Sequence, residues 1–300
     1  MTFKVFNIAI VGAGRVGTLI GKFLSEIIGH RIVAVISRSD ESLKRFQERI
    51  KVEFSGKFIG DLPGSVEVVF ITTPDSAIES VACEISELKN LNFKNLVVYH
   101  TSGVMSSDVL YKIREQGAEV GSLHPIYSVS HFDHSLDEIK KIRFTLEGSE
   151  RIYDITRWIF YGFDKNIVLM EKSQKVLYHI ACVFASNYLV SLLNAVDEIF
   201  EKAGMGFDHK FLFPLIDASL KNAGEFGPIK ALTGPIERGD IETVKLHLEE
   251  LKSKFPEILP LYSSLAIETI RVAFKKGSIS AKRASEFLDL VSSYIGKKVF

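Results

Sequence analysis

A strand, a glycine-rich turn and a helix follow one another directly near the start of the chain. The apolar run Asn7–Val11 leads into glycines spaced Gly-x-Gly-x-x-Gly, and an apolar helical pattern comes next. In such a unit the first glycine makes a tight turn, the second lets a pyrophosphate approach the backbone, and the third lets the helix pack against the strand. The helix N-terminus adds free N–H groups and a partial positive charge. A glycine-rich turn can be only a turn, but the flanking strand and helix favour dinucleotide binding along Gly12, Ala13, Gly14, Arg15, Val16 and Gly17.

Apolar strands then alternate with helical stretches up to about residue 170. Strands are predicted at 31–36, 66–71, 95–99, near 119–121, and at 143–147 and 166–169. This alternation predicts an α/β fold, a doubly wound and mostly parallel sheet of the Rossmann type. From residue 171 only helical patterns remain, at 173–203, 209–222, 241–254, 258–275 and 280–295. We therefore expect a dinucleotide-binding domain over residues 1–170 and an all-α domain over residues 171–300.

Composition excludes several classes of function. Acidic and basic residues balance at 37 each, so no basic face for nucleic acid or an anionic membrane is expected. Cys83 and Cys182 fit neither a metal site nor a disulfide framework, which favours a reducing cytoplasm. The N-terminus has no signal-peptide pattern. The apolar run 180–196 is broken by serine and asparagine, so a core or interface helix is expected rather than a membrane span.

The end of the second predicted strand bears on the choice of nucleotide. An acidic residue there would bind the ribose hydroxyls of NAD and repel a 2′-phosphate. The chain has Ser37 and Arg38 instead, and a guanidinium can bind a phosphate bidentately. NADP is therefore favoured. The alternative is that Arg38 is a solvated strand-end charge, and Asp40 nearby keeps NAD possible.

Polar residues follow the other predicted strands. Because the carboxyl ends of parallel strands share one edge, these residues are expected near the ligand. Thr72, Thr73 and Pro74 are assigned to the cofactor, His100 to cofactor and substrate, Ser102 to the substrate, and His124 to catalysis. A histidine titrates near neutral pH and could move a proton. Alternatively, the histidines bond backbone carbonyls and hold loops. Asp75 or Ser76 is expected to cap the next helix.

The first helix of the second domain carries a polar stripe. At about 100° per residue, Lys175, His179, Cys182 and Ser186 share one face, with Asn187 at its edge. Lys175 and His179 are predicted catalytic groups, because an ammonium or imidazolium can protonate a heteroatom as hydride attacks the adjacent carbon. Asn187 is predicted to bind substrate. The alternative is a solvated lysine and a core histidine.

A turn-rich loop lies between two of the later helices. Gly234, Pro235 and Gly239 force turns, and Asp240 is predicted to cap the helix that starts at Ile241. Arg238 is not explained by this turn chemistry, so it is predicted to bind a substrate carboxylate or phosphate. No metal site is expected.

Several motifs together resemble one family. They are Gly12-x-Gly14-x-x-Gly17, His100-Thr101-Ser102-Gly103, Ser122-Leu123-His124-Pro125, Tyr178-His179 with Ser186-Asn187, and Leu232-Thr233-Gly234-Pro235 through Asp240. The chain is similar to Rossmann-like proteins with a C-terminal domain of unknown function, DUF2520, described as NADP-dependent oxidoreductases. The resemblance implies a helical domain like those of 6-phosphogluconate and β-hydroxyacid dehydrogenases, and a homodimer formed through it. It does not supply a substrate.

The wider relatives have a catalytic lysine on this helix, followed at helical spacing by asparagine. Here Lys175 is followed one turn later by His179, and Asn187 comes later still. Relatives that reduce ring imines, such as pyrroline-5-carboxylate reductase, lack the lysine, so imine reduction stays open. The expected function is a cytoplasmic NADP-dependent oxidoreductase that reduces C=O or C=N in a small polar metabolite. The alternative is a non-catalytic NADP(H)-binding sensor or scaffold that acts through protein contacts.

Overall fold

The computed structural model describes residues 4–294. The chain divides between Asn187 and Tyr188 into two compact units. The expected domain boundary near residue 170 stays a prediction. The first unit contains the α/β sheet, and the second is built from helices.

The sheet of the first unit has eight strands within the described residues. They are β1 (Asn7–Val11), β2 (Arg31–Ile36), β3 (Phe54–Gly56), β4 (Val68–Ile71), β5 (Val97–His100), β6 (Glu119–Ile126), β7 (Arg143–Gly148) and β8 (Ile167–Leu169). Their order is β3-β2-β1-β4-β5-β6-β7-β8. All neighbours pair in parallel except β6 and β7, which are antiparallel. The predicted doubly wound, mostly parallel sheet is therefore confirmed.

Helices cover both faces of this sheet. They are α1 (Arg15–Lys22), α2 (Asp40–Gln47), α3 (Asp75–Ser86), α4 (Tyr111–Glu115), α5 (Leu136–Ile139), α6 (Glu150–Ile159) and α7 (Lys175–Ala185). Along β1, β4 and β5, successive residues alternate between two apolar clusters. In β1, Ile8 and Ile10 enter one cluster, and Ala9 and Val11 enter the other. A strand buried on both faces in this way is typical of a parallel sheet.

β6 is longer than its sequence suggests. A short strand was expected near 119–121, but β6 continues to Ile126 because antiparallel β7 pairs with it from Gly121 to Ile126. Its other neighbour, β5, ends opposite Ser122. The last part of β6, which includes His124, therefore extends past the end of β5 and stays in the ladder with β7.

From Asn187 onward the structure is helical. The helices are α8 (Asn187–Lys202), α9 (Phe213–Phe226), α10 (Pro228–Ala231), α11 (Ile241–Lys254), α12 (Leu259–Lys276) and α13 (Ala281–Tyr294). Asp240 caps α11, since its carboxylate accepts hydrogen bonds from the backbone N–H and hydroxyl of Thr243. Ile295, the expected end of the last helix, lies outside the described residues. The core of this unit forms from α11, α12 and α13, and includes Leu248, Ile270 and Phe287.

The single helix expected over residues 173–203 is wrong. Ser186 leaves helical geometry, with φ −124° and ψ −69°, and separates α7 from α8. Serine and asparagine side chains compete for backbone hydrogen bonds and so favour helix ends over interiors. The segment Lys172–Lys202 nevertheless has the length and apolar composition of a membrane-crossing helix, and none of its most apolar window is buried within the chain.

Candidate active site

The bend between β1 and α1 is built around its first and third glycines. Gly12 has φ +113°, and a Cβ there would lie 2.8 Å from the backbone carbonyl carbon of Thr72. A Cβ on Gly17 would lie 2.0 Å from the carbonyl oxygen of Gly12. Neither contact tolerates a side chain, so both positions require glycine. The backbones of β1 and α1 are therefore in direct contact at this bend.

The middle glycine has different surroundings. A Cβ on Gly14 would meet no atom within 4 Å. Gly14 is the N-cap of α1, and no side chain within residues 4–294 caps the first N–H groups of this helix. The bend therefore presents bare backbone N–H groups next to open space, as an anionic ligand needs.

A cavity of about 570 Å³ opens beyond the carboxyl ends of β1, β2 and β4. Eight of the predicted cofactor residues line it: Gly12, Ala13, Gly14, Ser37, Arg38, Thr72, Thr73 and Pro74. Sequence order reverses between β1 and β4, which is where ligands bind in open α/β sheets. Thr73 Oγ1 is buried in the cavity wall and has no hydrogen-bond partner among the described residues. Bare amides, open space at Gly14 and an orphaned hydroxyl fit a dinucleotide.

The β2 end of this cavity is cationic. Arg38 is exposed there and forms no hydrogen bond or ion pair that the structure records in residues 4–294. Lys57, after β3, lines the same cavity and pairs with Asp40 at 2.6 Å. Asp40 is thus neutralised by Lys57, and the Arg38 guanidinium is available for a phosphate.

Four of the predicted cofactor residues do not line this cavity. The Arg15 side chain donates to the Ser130 carbonyl at 2.8 Å, and Val16 packs against the core. Gly17 is a packing position. The His100 ring is fully buried: its Nδ1 accepts from the Ser102 N–H, and its Nε2 lies 3.1 Å from the Ser106 carbonyl oxygen. Both ring nitrogens of His100 therefore hold the loop backbone, the alternative considered from the sequence.

A second group of polar side chains lies on one face of the β6–β7 ladder. Ser122 stands opposite Glu147 and His124 opposite Thr145 in the strand register. Opposed residues on antiparallel strands have neighbouring side chains. All four are buried or half-buried. Four polar residues on a buried sheet face need a functional or structural partner.

Lys175, the first residue of α7, is the partner of this polar face of the β6–β7 ladder. Its side chain is only 2% exposed, and its ammonium donates to Ser122 Oγ at 2.6 Å and to the Ser102 carbonyl at 3.2 Å. Burial lowers the pKa of Lys175, and the charges of Glu147 and then Asp75 oppose that shift. An ammonium has three N–H donors, so one remains for another acceptor.

His124 and His179 close over Gly103. A Cβ on Gly103 would lie 2.6 Å from Cδ2 of His179 and 3.0 Å from Nε2 of His124. Nδ1 of His124 lies 2.8 Å from the Tyr178 hydroxyl. Burial, with the Lys175 and His179 charges, lowers the pKa of His124 to about 4, so its imidazole is neutral at pH 7. Burial raises the pKa of Tyr178, so its phenol is protonated.

Ser102 connects this cluster to the cavity. Its hydroxyl donates to Asp75 Oδ2 at 2.7 Å, and its carbonyl accepts from Lys175. Asp75 directly follows Thr73 and Pro74 of the cavity wall. Asp75 is the first residue of α3, and Pro74 holds the cap position with no side-chain cap bond. The expected capping by Asp75 or Ser76 is therefore wrong, because the Asp75 carboxylate accepts from Ser102 instead.

Two further predicted substrate residues are exposed. Asn187 is exposed at the first position of α8. Arg238 is exposed in the second unit, where its backbone N–H donates to the Gly234 carbonyl. Their assignments stay predictions.

Several residues of the cluster were not assigned to the site from sequence. Tyr178 and Ser122 stood inside the quoted motifs, and their pairing with His124 and Lys175 required the fold. The sequence offers one indication that Glu147 belongs to the site, because a carboxylate in an otherwise apolar strand needs a partner. Lys57 gave no signal, because the short strand β3 before it was not predicted.

Comparison with known proteins agrees with this architecture. Residues 3–125 match the model of a Rossmann-like domain, and residues 142–269 match the domain of unknown function DUF2520. No curated protein matches the chain.

Three solved structures show the same fold. A candidate NADP oxidoreductase from Bacteroides fragilis is 22% identical, with TM-score 0.73, over 90% of this chain and 98% of that one. Protein TM1727 from Thermotoga maritima is 25% identical, with TM-score 0.67, over 90% and 99%. A reductive aminase from Aspergillus terreus, in complex with NADPH and ethyl levulinate, is 12% identical, with TM-score 0.59, over 98% and 95%. The chain is a Rossmann-like protein that carries a DUF2520 domain.

Proposed function

We propose that this protein is an NADP-dependent oxidoreductase that reduces C=O or C=N in a small polar metabolite. One observation carries the proposal. The cavity wall Thr73–Pro74 continues into Asp75, which is bonded to Ser102, and Ser102 is bonded to Lys175. A fitting dinucleotide cavity and a buried proton donor thus share one continuous set of contacts. The similar structures include a candidate NADP oxidoreductase and a reductive aminase in complex with NADPH, which supports this choice of cofactor.

Different residues of the cavity would bind different parts of NADP. The amides at Gly12, Ala13 and Gly14 suit the pyrophosphate, and Ser37 and Arg38 suit the 2′-phosphate. Thr73, with its orphaned hydroxyl, and Pro74 would lie beside the nicotinamide half. When bound, the reduced cofactor supplies a hydride to the carbonyl or imine carbon.

Lys175 is the proposed proton donor. As charge builds on the substrate heteroatom, the third N–H of the ammonium can donate to that oxygen or nitrogen. Burial brings the pKa of Lys175 down toward the working range of a general acid. The hydride and this proton together complete the new CH–OH or CH–NH group.

His124 is proposed to orient the substrate as a neutral group. We assign His124 the tautomer with its proton on Nε2, in which Nδ1 accepts from the Tyr178 phenol and the N–H lies on the Gly103 side of the ring. A neutral N–H donor there can bind the heteroatom without competing for the Lys175 proton. His179, on the other side of Gly103, is proposed as a second wall of the substrate site, and Asn187 and Arg238 as further substrate contacts.

Two measurements test the proposal. Calorimetric titration with NADPH and NADH should give binding of both, with NADPH tighter. NADPH consumption is then followed with a panel of small aldehydes, ketones, keto acids and cyclic imines. Turnover of one class, lost in Lys175→Ala, supports the reductase. Binding without turnover, with a nucleotide-dependent change in oligomeric state, favours the sensor, and absence of binding to either nucleotide contradicts both.

We also propose a cytoplasmic homodimer. Leu177, Phe184 and Tyr188 are at least half exposed, and α8 and α9 contain no fully buried residue within the chain. A second copy would bury the same apolar surface twice, and zero net charge adds no overall repulsion between copies. The two free cysteines agree with a reducing compartment.

The dimer proposal is tested by light scattering. A dimer in the wild type that dissociates in Leu177→Glu/Phe184→Glu supports it. A monomeric wild type, or one that partitions into neutral lipid vesicles, contradicts it.

A further inference from the structure

We propose that Glu147 is the buried counter-charge of Lys175, a positioning residue that acts across Ser122 to keep the Lys175 ammonium charged within its pocket. This inference rests on the proposed function only in giving the Lys175 proton a catalytic role. The charge coupling itself does not depend on turnover.

The first observation is the state of the Glu147 carboxylate. The residue is 6% exposed, and its two oxygens accept from the Ser107 N–H at 2.7 Å and the Ser107 hydroxyl at 2.9 Å. Among the described residues, no lysine or arginine lies within ion-pair distance of it. Two hydrogen bonds satisfy part of the carboxylate, but a buried charge without a counter-charge remains expensive.

The second observation is the place of Lys175. Its ammonium is buried and bonds Ser122 Oγ, and Ser122 is the direct strand neighbour of Glu147. Ser122 is therefore a direct neighbour of both buried charges. The Ser122 hydroxyl donates to the Ser102 carbonyl at 3.2 Å, so its proton is not directed at the Glu147 carboxylate.

The remaining titratable groups around Lys175 do not replace Glu147. Asp75 contributes a negative charge, but it is exposed to solvent and therefore screened. His100 and His124 are neutral at pH 7, because burial lowers the pKa of each to about 4. His179, on the same helix, can add only positive charge. Glu147 is therefore the dominant buried group that favours the charged lysine, and it is the larger of the two carboxylate effects on the pKa of Lys175.

The test compares Glu147→Gln with the wild type. Glutamine keeps the shape, and its amide can accept from the Ser107 N–H while its NH₂ donates to the Ser107 hydroxyl, so mainly the charge is lost. The control is Glu67→Gln, which removes a part-buried carboxylate that bonds the Asn7 N–H. Lysine is labelled with ¹³C, and the Lys175 Cε signal, assigned from its loss in Lys175→Arg, is followed against pH.

We expect the Lys175 titration midpoint to fall by about 1–3 pH units in Glu147→Gln and to stay unchanged in Glu67→Gln. An unchanged midpoint in Glu147→Gln would overturn the proposal. The titration needs no nucleotide or substrate. Failure of NADPH binding would therefore contradict the proposed function but not this inference. An unchanged Lys175 midpoint would contradict this inference but not the proposed function.

A thermal unfolding cycle covers the case in which Glu147→Gln folds poorly. Lys175→Met leaves the Glu147 carboxylate without a counter-charge, so adding Glu147→Gln should raise the Tm of the Lys175→Met protein. If the Tm loss in the double variant equals the sum of the losses in Lys175→Met and Glu147→Gln, the two charges do not interact and the proposal fails.

Discussion

The ammonium of Lys175 donates a 2.6 Å hydrogen bond to the hydroxyl of Ser122, 53 residues earlier in the chain. This bond fixes the start of α7 on the polar face of the β6–β7 ladder. It leaves one N–H of Lys175 for a substrate, as the proposed reductase requires.

Lys175→Ala should lower turnover of an identified substrate by about 10²- to 10⁴-fold, the usual contribution of a positioned general acid. NADPH affinity should change little, because Lys175 does not line the nucleotide cavity. The matched control is Lys172→Ala, which removes an exposed lysine that pairs with Asp108. Steady-state kinetics with calorimetric NADPH titration checks both parts. If turnover survives in Lys175→Ala, the catalytic assignment fails.

Gly17→Ala and Gly14→Ala should separate folding from binding. A Cβ on Gly17 clashes with the Gly12 carbonyl, so unfolding free energy should fall by about 1–3 kcal/mol or more. A Cβ on Gly14 meets open space, so stability should change by less than about 1 kcal/mol, whereas NADPH binding should weaken. Urea unfolding and calorimetry measure the two effects. Equal destabilisation by both substitutions would contradict this division.

Arg38→Gln should weaken NADPH binding by about tenfold and leave NADH binding nearly unchanged, because a charge-assisted phosphate contact is lost. Competitive titration of the two nucleotides measures the ratio. The paired variant Asp40→Asn frees Lys57 from its ion pair and should not reduce NADPH affinity. A wild type that prefers NADH tenfold would contradict the role of Arg38.

Acid should destabilise the protein through His100. Burial lowers its folded pKa to about 4, below the ordinary value of 6.5, so its contribution to stability is complete above pH 6.5 and is lost as pH falls toward 4. A shift of this size corresponds to a loss of about 3 kcal/mol.

The variant His100→Asn removes this titration. Urea unfolding between pH 7.5 and 4 should show a smaller loss of stability in the variant than in the wild type. Parallel pH dependence in the two proteins would show that His100 does not titrate in this way.

Gly103→Ala should displace the two histidines above it. Its Cβ would lie 2.6 Å from the His179 ring, a half-buried side chain that can move, so the fold should survive. Turnover should fall, and the histidine ring NMR signals should shift. Gly60→Ala, where a Cβ meets open space, is the control. Unchanged histidine signals in Gly103→Ala would contradict the geometry.

The fold followed from local patterns. Glycine spacing, strand alternation and the cap at Asp240 each depend on a few consecutive residues, and the structure has all three. The break at Ser186 was missed because a single serine in an apolar helix is a weak signal. The extension of β6 was missed because it depends on β7, a strand that comes later in the chain.

The site was harder to predict because its contacts join distant segments. Lys175 could be selected as a proton carrier from its residue type and helical position, and His124 from its residue type and its place after a predicted strand. The bond from Ser102 to Asp75 spans 27 residues, and the Ser122–Glu147 neighbourhood depends on strand register. His100 was assigned to ligand binding from its place at a strand end, and only the loop geometry shows that the backbone occupies both its nitrogens.

The most direct test of the central claim is a calorimetric titration of NADPH into the wild type and Gly14→Val. The account predicts saturable one-site binding to the wild type and strongly weakened binding to Gly14→Val, with both proteins unfolding at similar urea concentrations. No heat of binding in the wild type, or equal affinity in the two proteins, would contradict a dinucleotide at the β1–α1 bend.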